Sequence, residues 1–95
     1  MLEKRADSIE LLNATHSFPC PFEFKVIGNA SEQFVTLVLE VITSVTAETD
    51  PPHSTRTTPG GRHISVTAEP TVQQAEHVLE IYDRLKSLEG VVMLL

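Results

Sequence analysis

The chain has 95 residues, of which 41% are hydrophobic and 21% charged. That is enough for one core, too short for two, and too apolar for disorder. Thirteen Asp and Glu stand against seven Lys and Arg, a formal net charge of −6, which is the wrong sign for a protein that neutralises phosphates, so no nucleic-acid partner is expected.

Residues 1–17 mix charge with a short apolar set, Ile9, Leu11 and Leu12. Asp7–Asn13 has the makings of a turn or two of helix, and chain ends fray, so a partly flexible segment is expected before a domain over 18–95. The longest uninterrupted apolar run is Val91–Leu95, against roughly 20 residues for a membrane-spanning helix. No signal-peptide pattern follows the charged start. A cytoplasmic protein without a membrane partner is expected, and the single cysteine, Cys20, fits a reducing compartment.

Phe18-Pro19-Cys20-Pro21 is extended, because proline fixes its own φ and restricts the residue before it. Phe22, Phe24 and Val26 then alternate with Glu23, Lys25 and Ile27, which predicts a strand ended by Gly28-Asn29. Asn29 and Glu32 have capping-box spacing. Phe34, Val35, Leu37, Val38, Val41, Ile42 and Val45 follow at helical intervals, predicting a helix over 31–45.

The stretch 46–61 is the least periodic. Pro51-Pro52 and Pro59-Gly60-Gly61 bracket His53-Ser54-Thr55-Arg56-Thr57-Thr58, a polar strand suited to a sheet edge. Arg62–Glu69 alternates Ile64, Val66 and Ala68 with polar residues, a second strand pattern. Thr71 and Gln74 repeat the capping-box spacing, and Val72, Ala75, Val78, Leu79, Tyr82 and Leu85 predict a helix over 72–87. Gly90 turns the chain into a terminal strand, Val91–Leu95.

The resulting order, strand-helix-strand-strand-helix-strand, predicts an α+β ferredoxin-like βαββαβ sandwich. Its antiparallel sheet has strand order 4-1-3-2 and two helices on one face. Lys25, Ile27, His63, Ser65 and Thr67 are expected on the open face.

The run from Phe18 to Gly28 resembles the opening strand of the YbeD-like family, small bacterial proteins of unassigned function. Gly61–Val66 resembles that family's third strand, and Ile81–Leu85 with Val91–Leu95 its closing helix and strand. The resemblance covers about 18–95. His63 departs from it, standing where an aromatic, usually Tyr, is expected, and 46–60 matches little. It implies a ferredoxin-like fold similar to ACT regulatory domains, in which an effector binds near the turn after strand one. Gly28 and Asn29 thereby become candidate ligand contacts; the alternative for Gly28 is a turn residue at positive φ.

Several chemistries of this fold lack their residues. The turn Gly28–Ser31 has no arginine for acylphosphatase-type phosphate cradling, and Cys20 has no partner thiol for a metal chaperone; it reads as a small apolar plug. The expected open face has no base-stacking aromatic. His16, His53, His63 and His77 lack ligand-pair spacing, so no metal site and no cofactor are expected. No nucleophile elbow occurs, and Glu76 and Glu80 read as a solvated helix face, so no catalytic residue is assigned.

Two features remain. No acid lies between Pro51 and Ala68, so Arg56, Arg62, His53 and His63 form a basic island beside Gly60-Gly61 on an acidic chain. It reads first as a solvated hairpin tip whose glycines turn the chain, and alternatively as a contact for an anion or acidic partner. The strand Val91–Leu95 is apolar on both faces, Val91, Met93 and Leu95 on one and Val92 and Leu94 on the other. One set must lie near Ile27 on the open face, where burying an aliphatic side chain is worth about 1.5–3 kcal/mol. Homodimerisation through that face, or residues 1–17 folded across it, would cover the exposed set. The expected function is a non-enzymatic regulatory or interaction module that binds a protein partner or a small anionic effector through Lys25, Ile27, Gly28, Asn29, Arg56, Arg62 and His63. The alternative is a small enzyme or enzyme subunit acting on an anionic metabolite.

Overall fold

A computed structural model describes residues 2–95, with side chains from residue 4 onward. The chain runs α1 (Leu2–Thr15), β1 (Cys20–Pro21), β2 (Phe24–Asn29), α2 (Glu32–Thr46), β3 (His53–Thr57), β4 (His63–Ala68), β5 (Thr71–Val72), α3 (Ala75–Lys86) and β6 (Val91–Leu94). Four strands form an antiparallel sheet in the order β3-β4-β2-β6. This is the expected order for those four strands.

The expectation of one sheet and two helices is corrected. β1 and β5 make a separate two-stranded sheet, Cys20 opposite Val72 and Pro21 opposite Thr71. Val72 is fully buried there and is not in the helix predicted to begin at it, so α3 starts at Ala75. Thr71 donates its N–H to Glu48 Oε2 at 2.7 Å, which holds the pairing in place of a capping box. The third helix, α1, is longer than the turn or two anticipated. It lies against α3, where Leu12 packs on the core. A chain of aromatic contacts anchors its end, with ring centroids 5.1 Å apart for His16–Phe22, 5.0 Å for Phe22–Phe24 and 5.2 Å for Phe24–Tyr82. The segment therefore packs on the helix layer and not across the open sheet face.

Pleat alternation sends Phe24, Val26 and Gly28 to one side of β2, opposite Ala68, Val66 and Ile64 of β4. Phe34, Val38 and Ile42 of α2 and Val78, Ile81 and Leu85 of α3 join Phe24, Val26, Val66 and Ala68 in one buried cluster. Both helices thus cover the same sheet face. Their buried residues recur at three- and four-residue intervals, which is why each helix forms as an amphipathic rod against the sheet. Ser31, and not Asn29, caps α2: its Oγ accepts from Phe34 N–H at 3.0 Å. Asn29 still belongs to β2, paired with His63.

Candidate functional site

The side of the sheet away from α2 and α3 follows from register. Lys25 lies opposite Thr67, which lies opposite Ser54; Ile27 lies opposite Ser65, which lies opposite Arg56; Asn29 lies opposite His63. All share the open face. Lys25, Ile27, Asn29, Arg56 and His63 are therefore brought to one surface, although Arg56 and Ile27 sit two strands apart, roughly 10 Å at the usual strand spacing.

β6 completes this surface differently from the simple alternation expected. The register slips between Ile27 and Gly28, a bulge that puts Met93 opposite Ile27 but Val91 opposite Gly28. Val91 and Leu94 consequently pack against the core, while Val92, Met93 and Leu95 remain 55%, 49% and 58% exposed. Leu95 N–H donates to Lys25 carbonyl oxygen at 2.9 Å, carrying the pairing one residue further. The open face thus has an apolar part, half-buried Ile27 of β2 with Met93 and Leu95 along the β6 edge, and two cations, Lys25 on β2 and Arg56 on the β3 edge. Neither cation forms an ion pair among the described residues. The thirteen acids all lie outside the strands, and one of them, Glu69 at the end of β4, borders the open face beside Ser54 and Thr67.

Gly28 and Arg62 do not join that surface. Gly28 is buried on the core side, where an added Cβ would collide with the Phe34 ring. It is a close-approach glycine that admits the aromatic ring. Positive φ belongs instead to Gly60, Gly61 and Gly90, so the turn reading of Gly28 is corrected. Arg62 lies in the exposed β3–β4 connection, its carbonyl accepting from Ala30 N–H at 3.1 Å.

Next to the β2–α2 turn is a shallow hollow of about 230 Å³, lined by Asn29, Ser31, Gln33, Leu37, Glu89 and Gly90. It is smaller than usual ligand clefts, roughly 300–1,000 Å³, and its one charge is an acid. Two larger grooves were not legible in the sequence. One, about 390 Å³, separates α1 from α3 and contains Lys4, Arg5, Tyr82 and Asp83; Arg5 donates to Asp83 across it at 3.2 Å. The Tyr82 hydroxyl, partly buried there, titrates above its ordinary value because burial disfavours the phenolate. The other, about 470 Å³, lies between β3 and the start of α2, with His53, Thr55 and Ile64 facing Ser31, Glu32, Val35 and Thr36. Only the β3 register and the angle of α2 create it, although Val35, one step off the buried stripe, hinted at a second apolar surface on α2. Among the described residues no three His, Cys, Asp or Glu side chains gather into a metal-sized cluster, and no helix is long and apolar enough to cross a membrane.

Comparison with known proteins bears on the family and the fold. The profile of a family described as "Protein of unknown function (DUF493)" matches residues 13–95. A UPF0250 protein of Shewanella amazonensis is 35% identical over 85 residues, covering 85% of this chain and 96% of that one. Another, from Shewanella baltica, is 38% identical over 74 residues, covering 78% and 83%. The solution structure of protein HP0495 from H. pylori superposes with a TM-score of 0.67 at 18% identity, over 84% of this chain and 85% of that one. Such identity speaks to the fold alone. The chain belongs to the DUF493 (UPF0250, YbeD-like) family of proteins of unknown function.

Proposed function

We propose that this protein is a non-enzymatic interaction module that docks an acidic partner protein on its open sheet face. The reading takes the β2-α2-β3-β4-α3-β6 core as ferredoxin-like and, by resemblance, ACT-like. The observation that carries it is the composition of that face: Lys25 and Arg56, without an ion pair among the described residues, beside half-buried Ile27 and exposed Met93 and Leu95, on a chain of net charge −6. Apolar area supplies affinity, and the cations supply orientation and encounter rate.

The small-effector form of the same reading has less support, because Gly28 is filled by Phe34 and the hollow beside it is small and acidic. A homodimer through the open face has a charge cost. A two-fold pairing brings the same patch from both copies into one interface, so Lys25 and Arg56 enter it twice and add like charge there.

The test is capture from native lysate with wild-type protein and with the Lys25→Glu/Arg56→Glu variant, followed by size analysis. A protein retained by the wild type and lost by the variant supports the reading. A metabolite retained without any protein, or equal capture by the variant, overturns it.

A further inference from the structure

The sheet's two edges are built differently. β6 has four residues and a bulge beside it, both of which discourage further pairing. β3 has five residues in unbroken register with β4, and all five are exposed. Its outer backbone groups can be assigned. Pro52 carbonyl oxygen accepts from Glu69 N–H, and Thr58 N–H donates to His63 carbonyl oxygen. In an antiparallel ladder such bonded pairs alternate, so Ser54 and Arg56 turn their backbone groups toward β4. His53, Thr55 and Thr57 turn theirs outward. The side chains of His53 and Thr55 face the groove against Val35 and Ile64, and that of Arg56 faces the open sheet.

We propose that β3 is a strand-addition site for an extended segment of a partner protein in which short aliphatic residues alternate with acidic ones. An added strand pairs with the outward groups of His53, Thr55 and Thr57. Its alternate side chains then fall into the groove beside Val35 and Ile64, and the others lie on the open side next to Arg56. Main-chain bonds provide affinity, and the groove and the cation provide selectivity. Arg56 sets the preferred sign of the open-side residues near the hairpin, while Glu69, beside Ser54 and Thr67, confines that preference to the Arg56 end of β3. Glu32 stands in the groove and disfavours acids on that side. The length of β3 matches about five residues of partner. The proposal rests on the reading of the chain as a protein-binding module, but it concerns the outer edge of β3, which borders the open face at Ser54 and Arg56 and does not include Lys25.

The probe is an end-blocked hexapeptide of alternating valine and glutamate, with a valine–lysine hexapeptide as control, titrated into the full-length chain. Amide hydrogen exchange is read residue by residue. The acidic peptide is expected to slow the His53, Thr55 and Thr57 amides at least roughly tenfold, with little change at Ser54 and Arg56, which already face β4. Thr55→Pro removes an outward N–H that β4 does not use, so it should keep the fold and abolish the effect. Arg56→Glu should weaken binding about tenfold, some 1.4 kcal/mol. Lys25→Glu should leave it unchanged, which separates this surface from the open face. Four results overturn the proposal: no slowing at β3, equal binding of the lysine peptide, unchanged binding by folded Thr55→Pro, or slowing that follows protein concentration without peptide. The last would identify a second copy as the occupant.

Discussion

The two faces of the four-stranded sheet come from the same four strands and obey opposite rules. On the helix side every position is constrained by volume. Phe24, Val26, Val66 and Ala68 are each 1% exposed or less, and Gly28 has no side chain because the Phe34 ring needs its space. On the other side the same strands carry Lys25, Ile27, Ser65, Thr67 and Arg56, over which no second layer lies among the described residues. Packing explains the first face completely, whereas exposed Met93 and Leu95 beside unpaired cations have no folding rationale. A surface that folding does not require is where binding is most economically sought.

The contrast can be broken most sharply at the Gly28–Phe34 contact. Phe34→Ala should destabilise the protein by about 3–5 kcal/mol, measured by denaturant unfolding. Gly28→Ala should cost about 1–3 kcal/mol through overpacking, and the double variant should cost less than the sum, because truncating the ring makes room for the new methyl. Additive costs would show that the ring is not what keeps position 28 a glycine. Ser31→Ala removes the bond to Phe34 N–H and should cost about 1 kcal/mol. Lys25→Glu and Arg56→Glu should change stability by no more than about 0.5 kcal/mol each. A larger loss would mean that the open face contributes to folding after all.

The smallest effect concerns pH. Burial raises the Tyr82 hydroxyl above its ordinary 10.0 in the folded state, so the neutral phenol is favoured by folding. That contribution is present in full below pH 10 and declines as pH rises through the folded value, where the unfolded chain has already lost its proton. Unfolding curves from pH 9 to 11 should therefore show a decline that Tyr82→Phe reduces.

Legibility in the sequence followed the reach of each interaction. The alternation of β2 and β4 and the stripes of α2 and α3 are local periodicities, and they located these elements to within a few residues. The polar strand at an edge was also readable, since Thr and Arg without apolar partners have no place between layers. The N-cap is not legible locally because Asn29 and Ser31 both carry capping side chains, and only the extent of β2, which runs through Asn29, selects Ser31. The full length of α1 is not legible because its apolar residues are few. Its place is set by Leu12 and by the aromatic contacts of His16 and Phe22, all long-range. Five of the proposed contact residues share the open face. Gly28 and Arg62 do not, because strand parity and the hairpin's path placed them elsewhere.

By itself the sequence determined the kind of protein this is: one small α+β core, its principal strands and two of its helices, and an acidic chain with a local cationic stretch. It did so because burying apolar surface imposes periods of two and of 3.6 on neighbouring residues, and these survive in one dimension. The tertiary structure alone decided the separate β1–β5 pair, the bulge that turns Met93 outward, the clasp of Phe34 on Gly28 and the free edge of β3 beside a groove. Each depends on residues far apart in the chain meeting at one register and one angle, and no local period records where two distant segments will touch.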